Sequence, residues 1–395
     1  MPTLAQAQAI HSALFTVDSH CDTPSSLALK GYDIGARHAP GTLLGGDIDL
    51  VRMREGGLSA AFFAVFVHQG PRTERGYAHA RETALAALDR LERMFARHPE
   101  LCERALGPDD AVRIAATGKR AIFLGMENGY PLGRDLGLLD DYHRRGIRYL
   151  TLCHSSDNDL CASCTSWTGT AMEPRAKEDT GLTGFGARVV ARMNELGMMV
   201  DISHVSPRTV EAVLELSRKP VLASHSCARA VADHPRNLTD AQLRAIAAHG
   251  GVVQVCFVPE FLRPGPATPG ADKAFGDLHR RMKARYGDHA VGADPGQDAA
   301  FEAEHAELVR RYPPPQVWVK DVADHIDHVA AVAGIDHVGI GSDFDGGGRL
   351  ADCRDVSELP AITLELLRRG HSAGDLEKIW GGNLMRVFRA VLEPA

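Results

Sequence analysis

No stretch of this 395-residue chain approaches the roughly 20 consecutive apolar residues that a membrane-spanning helix needs, so no such helix is expected. The opening run MPTLAQAQAIHSALF has neither a charged leader nor a continuous apolar core, which argues against a secretory signal and for a cytoplasmic protein. Positive charge is also short. Lys and Arg number 44 against 51 Asp and Glu, a net charge of -7, whereas a phosphate-tracking surface needs a basic footprint. Nucleic acid is therefore not an expected partner. Cysteine is sparse: eight residues lie scattered through apolar segments, unlike the dense framework of a small secreted fold. The one close pair, Cys161 and Cys164, has no second pair to complete a zinc ribbon, and reads as a loop disulfide or as two ordinary thiols. With 44% hydrophobic and 24% charged residues, usage is that of an ordinary globular protein able to bury a full core.

What the chain does have is a recurring strand-like pattern. Apolar runs at 16–22, 58–67, 121–127, 149–154, 198–204, 220–225, 252–258 and 337–343 alternate with segments of helical spacing such as 78–97, 184–196 and 206–217. Continuous apolar runs suit parallel strands covered on both faces. Eight such units predict a single (β/α)8 barrel, a TIM barrel, over residues 1–395, because barrel folds often exceed the usual domain length.

Ligand-type residues fall at the ends of these runs. His20 and Asp22 are two apart and so share one strand face; Glu127, His204, His225 and Asp343 close four later runs. In a TIM barrel the chemistry sits at the C-terminal ends of the strands, and these residues fall there without adjustment. Among 19 His and 51 acidic residues most are solvated or structural, and His98, His143 and His249, in polar helical contexts, are read so. His68, ending the second run, is assigned to packing and the rim. A pair of divalent ions needs a bridging carboxylate at a separation of about 3.5 to 4 Å. Glu127 fits that place, with His20 and Asp22 on one ion and His204 and His225 on the other. Imidazole with carboxylate and no thiolate favours zinc with open positions for water.

The segment 259–315 is the compositional oddity, opening rich in Pro and Gly, continuing as two charged helical patterns and closing on Pro313, Pro314 and Pro315. It reads as a helical insertion after strand 7, leaving the barrel on its catalytic face as a lid, an oligomer contact or a plain surface excursion. A homodimer is compatible with it. Near the end, Leu384, Val387, Phe388 and Val391 have helical spacing behind Trp380-Gly381-Gly382-Asn383, which predicts a capped closing helix against the barrel.

The motifs FTVDSHCDT, GMENGYPL, LTLCHSSDN, MVDISHVS, ASHSCAR, HPRNL and HVGIGSDFDG, with DVSELPAITLELLRRG and GGNLMRVF near the end, resemble those of the membrane (renal) dipeptidase family of the metal-dependent amidohydrolase superfamily. The resemblance runs nearly end to end. It implies a binuclear zinc barrel, two ions per chain, with His20, Asp22, Glu127, His204 and His225 as ligands, in agreement with the spacing. It further implies Asp343 as general acid/base, His154 as the contact to the substrate carbonyl, and Arg236 as the holder of a dipeptide's terminal carboxylate; Asp345 is read as a turn or supporting carboxylate. The expected reaction is attack by a metal-bridging hydroxide on the peptide bond of a dipeptide, with acceptance of a D-residue at the C-terminal position left open. Two departures stand out. Cys256-Phe257-Val258 occupies the place of an Asn-Phe-Tyr run in relatives of the mammalian type, and the 259–315 insertion is absent from those relatives. The chain stops at Leu392-Glu393-Pro394-Ala395, so the lipid anchor of the animal enzymes is not expected.

Two other readings compete. Lactone or phosphotriester hydrolases of the superfamily usually bridge their ions with a carboxylated lysine on strand 4, and YLTLCHS has none; deaminases usually carry His-x-His on strand 1, where this chain has His20-Cys21-Asp22. A barrel that had lost catalysis and served as a scaffold would be expected to break its metal shell first, and all five ligands and Asp343 are present.

Overall fold

The computed structural model describes residues 2–29, 31–39, 46–167, 172–174, 178–263, 265, 270–286 and 295–393. Its centre is a parallel sheet whose strands follow one another in chain order: β1 (Val17–Cys21), β2 (Ala60–Phe66), β3 (Arg120–Glu127), β4 (Ile147–Thr151), β5 (Met199–Asp201), β6 (Leu222–Ala223), β7 (Val252–Val255) and β8 (Val338–Ile340). The sheet closes on itself just past the last strand. Cys21 bridges Phe344 in parallel register, the Asp22 N–H donates to the Phe344 carbonyl at 2.9 Å, and the Asp343 N–H donates to the His20 carbonyl at 3.0 Å. The architecture is the expected (β/α)8 barrel. A short extra strand, Cys102–Arg104, pairs with the start of β3, and a two-stranded hairpin, Thr165–Trp167 with Met172–Pro174, lies beyond β4; the apolar pattern marks neither, since Cys102-Glu103-Arg104 and Thr165-Ser166-Trp167 form no apolar run.

Alternation along the strands divides the core in two. Phe62, Phe123, Tyr149, Met199, Leu222 and Val252 fill the barrel interior, while their neighbours face the helices. The closing helix Asn383–Leu392 plugs the interior from below: Leu384, Val387, Phe388 and Val391 are buried, and the Phe388 ring lies 5.5 Å from Phe123 and 6.1 Å from Phe62. This helix is not capped as the sequence suggested. A π-helical turn, Lys378–Gly382, runs straight into it, and the Asn383 amide instead donates to the carbonyls of Ile335 (2.7 Å) and Val338 (2.8 Å), pinning the foot of β8.

The outer helices show why their sequences are helical. Glu74–Arg97 starts at Thr73, whose side chain caps the Gly76 N–H, and buries Tyr77, Ala80, Ala84, Ala87, Leu88, Leu91 and Met94 at steps of three and four, the stripe that packs on a barrel. The segment 259–315 carries helices Pro259–Leu262, Ala271–Tyr286 and Pro295–Arg311. Its first four residues are not an excursion. Phe261 and Leu262 are buried, and their carbonyls accept from Asn237 at 2.7 Å and from His325 at 3.0 Å. Among the described residues no helix is long and apolar enough to cross a membrane. The eight cysteines are free and buried, so Cys161 and Cys164 form no disulfide. Of the three histidines read as solvated, His143 and His249 are half-buried, while His98 is buried, with its Nε2 2.8 Å from Asp33.

Candidate metal centre

All the predicted ligands converge above the C-terminal mouth of the barrel. The chain reaches them through backbone that side chains seldom adopt: Asn128, His204, Asp343 and Asp345 are the non-glycine residues with positive φ among those described (78°, 69°, 61° and 65°). Such conformations persist where surrounding bonds over-determine them. Asn128 shows how: its amide donates to the Val67 carbonyl at 2.9 Å, and its side-chain oxygen accepts from the Tyr130 N–H and the Asn158 amide at 3.1 Å each.

Two buried carboxylates brace the strands beneath the histidines. Asp18 accepts from the N–H groups of His20 (3.1 Å) and Ser342 (2.9 Å) and from the Ser342 hydroxyl, tying β1 to the end of β8. Asp201 does the same for β5 and β6, accepting from the N–H groups of Ser203 (3.0 Å) and Ser224 (2.9 Å) and from the Thr151 and Ser224 hydroxyls. These braces also orient the rings. Ser224 Oγ lies 2.8 Å from His225 Nδ1 and Tyr149 Oη lies 2.8 Å from His20 Nδ1, so each ring is hydrogen-bonded through Nδ1 and turns Nε2 inward, a common support for metal-ligating imidazoles. The Tyr149 ring fits only because position 125 is glycine: a Cβ there would strike it. Gly346 is constrained likewise, since a Cβ would meet the Asp22 and Asp343 carboxylates.

Glu127 divides its two oxygens between two sets of groups. Oε2 faces His20 Nε2 at 3.6 Å, while Oε1 faces His204 Nε2 at 3.2 Å and His225 Nε2 at 3.5 Å. Asp22 joins the first set at 3.8 Å from His20 Nε2, with Asp343 at 4.0 Å from the same atom. Donors held at about 2.0 to 2.1 Å by one tetrahedral ion are roughly 3.3 Å apart, which is the scale of these separations. A further feature suits a metal site: His20 Nε2 and Asp22 Oδ1 are buried without a hydrogen-bond partner.

The electrostatics agree. Burial pushes the carboxyl groups of Glu127 and Asp22 up, and lifts Asp343 to about 6. Burial, aided by the Arg236 charge, drives His204 and His225 well down, and His154 to about 3. His20 is the exception: burial alone would lower it, but the Glu127 and Asp22 carboxylates raise it well above its ordinary value. A desolvated cluster of three carboxylates, in which His154, His204 and His225 are held neutral, is stabilised by cations among them. The residues fit divalent metal ions.

The remaining predicted residues border this cluster. His154 Nε2 lies 3.6 Å from Glu127 Oε1, and its side chain, 28% exposed, is the most open of the group, as suits a group facing substrate. Arg236 is buried at 3% exposure, donates to the His225 carbonyl at 2.8 Å and to Ser226 Oγ at 3.4 Å, and leaves Nε unpartnered. The Phe261 ring lies 5.1 Å from its guanidinium. Asp345 accepts from Thr23 Oγ1 at 2.7 Å and from the Asp47 N–H at 2.9 Å, the supporting role expected of it. Sequence reasoning missed Tyr149, Asp201 and Ser224; Cys256, noted there as a departure, has its Sγ 3.6 Å from Asp343 Oδ2. A usable signal existed for Asp201, since Asp18-Ser19-His20 and Asp201-Ile202-Ser203-His204 both place an Asp just ahead of a ligand.

Comparison with known proteins follows the same line. The family model described as membrane dipeptidase (peptidase family M19) matches residues 4–395. Dipeptidase tcpJ of Claviceps purpurea is 31% identical over 96% of this chain and 77% of its own length; Dipeptidase 3 of Rattus norvegicus is 32% identical over 98% and 67%. Among solved structures, the probable dipeptidase PvdM of Pseudomonas aeruginosa superposes with a TM-score of 0.82 at 32% identity over 99% of both chains. A metallo peptidase of Rhodobacter sphaeroides, liganded with a phosphinate mimic of the dipeptide L-Ala-D-Ala, gives 0.70 at 25% identity over 96% of this chain and 99% of its own.

Proposed function

Because the chain belongs to the membrane dipeptidase family, we propose that it hydrolyses dipeptides with two zinc ions held by His20, Asp22, Glu127, His204 and His225. The observation that carries this reading is the division of Glu127, one oxygen toward each half of the ligand set. When bound, such a pair of ions supplies a hydroxide near neutral pH, by lowering the pKa of a shared water, and a Lewis acid for the carbonyl. Imidazole and carboxylate donors without thiolate favour zinc in these places.

The chain's own residues provide the rest. Asp343, lifted to about 6 by burial, is poised to take a proton from the attacking water and return it to the leaving amine near neutral pH. His154, held neutral at that pH, faces the substrate carbonyl. Arg236 receives the free carboxylate, and so confines the substrate to two residues. The likeness to the enzyme liganded with a mimic of L-Ala-D-Ala supports acceptance of a D-residue at the C-terminal position. The test is a panel of L,L and L,D dipeptides assayed on protein whose zinc content is measured in parallel. Cleavage of both series by protein carrying two zinc ions is expected; a zinc-replete protein inert on the whole panel would sink the proposal.

A further inference from the structure

We infer that the substrate's amino-terminal side chain is received in the cavity beside β2, and that the enzyme takes dipeptides whose first residue is large and mainly apolar. This rests on the dipeptidase reading and on Arg236 as the carboxylate holder. Arg236 hangs on the segment that follows β6, and in an eight-stranded barrel the strand opposite β6 is β2. With the carboxylate on the β6 side and the scissile carbonyl at His154 and Glu127, the residue on the far side of the scissile bond points toward β1, β2 and β3.

A cavity of about 180 Å³ lies there. Its walls continue the site-bearing strands: Pro24 follows Asp22 by two residues, Tyr130 follows Glu127 by three, and Phe66 is the register partner of Glu127 itself. A line of rings leads to it from the ligands, His204 to His154 at 4.1 Å and His154 to Phe66 at 4.8 Å. Ala28, Val65, Ala80 and Ala87 make part of the wall small and apolar, while Gln69, Thr83, His79 and Arg90 add polar groups to it. A cavity of about 150 Å³ accommodates benzene, so this one has room for an aromatic or branched aliphatic side chain.

Burying such a side chain, rather than leaving the space to water, is worth roughly 10- to 100-fold in kcat/KM. The experiment compares Phe-Ala, Leu-Ala and Gly-Ala on the zinc-loaded wild type and on two cavity-filling variants, Ala28→Phe at a half-buried position and Ala80→Leu at a buried one. Expected is a Phe-Ala to Gly-Ala ratio of about 10 to 100, collapsing toward one in either variant that folds. A ratio near one in the wild type, or a ratio that survives in both variants, overturns the inference while leaving the dipeptidase reading intact. If none of the three dipeptides is cleaved, that reading falls and takes the inference with it.

Discussion

The burial of Arg236 makes the carboxylate clamp measurable. Its guanidinium is 3% exposed, braced by the His225 carbonyl and Ser226 Oγ, and makes no ion pair among the described residues. In the proposed reading a substrate carboxylate supplies the missing negative charge, and a C-terminal amide does not. Leaving one partner of a buried charged pair unmatched costs about 3 to 5 kcal/mol, which at about 1.4 kcal/mol per decade is a factor of roughly 10² to 10³ or more. The wild type is therefore expected to cleave a dipeptide over its amide by at least a hundredfold in kcat/KM, read from release of the leaving amino acid. Arg236→Ala should lower the free acid by a similar factor, leave the amide nearly unaffected, and bring the ratio close to one. Arg236→Lys should fall between, because it keeps the charge but loses the planar fork. Since Nη2 also supports the His225 carbonyl, zinc content must be measured on each variant, and only those that keep both ions enter the comparison. Equal cleavage of acid and amide by the wild type would refute the clamp.

Three further outcomes test the centre. The wild type should carry about two zinc ions, and Glu127→Gln should weaken both, because its two oxygens face different halves of the set; elemental analysis showing one site still full would rule out the bridge. Asp343→Asn should keep its zinc and lose roughly 10² to 10⁴ in kcat, the usual worth of a positioned acid/base, and near-normal turnover would remove Asp343 from the reaction. Ser224→Ala and Tyr149→Phe take away the groups hydrogen-bonded to Nδ1 of His225 and His20, and should weaken metal retention about 10- to 100-fold against a competing chelator; unchanged retention would show that these bonds do not tune the ligands.

Much of this was legible because strand period and ligand position reinforce each other. The ends of the eight apolar runs lie close to the ends of β1 to β8, and the ligands His20, Asp22, Glu127, His204 and His225 were placed from those ends alone. Illegible were features that depend on neighbours distant in sequence. Tyr149 reads as one apolar strand residue among many, and its role appears only when the glycine at position 125 opens room for its ring beside His20. The capped start expected of the closing helix is absent for a similar reason: the Asn383 amide serves Ile335 and Val338, some 45 residues upstream. The packing of Phe261 beside Arg236 is likewise invisible in a Pro-rich stretch, because it is a tertiary fact.

The seam between β1 and β8 is made from the site's own backbone. The Asp343 amide bonds to the His20 carbonyl and the Asp22 amide to the Phe344 carbonyl, so parting the two strands also separates Asp343 from His20 and Asp22. Activity and cylinder closure are then one cooperative unit. In deuterium exchange the amides of Asp22 and Asp343 serve as clocks for this opening, and metal binding, by clamping side chains on both lips, should slow both clocks together. Heat inactivation would then begin as an unzipping at the mouth, while the foot of the barrel, plugged by Phe388, is still closed.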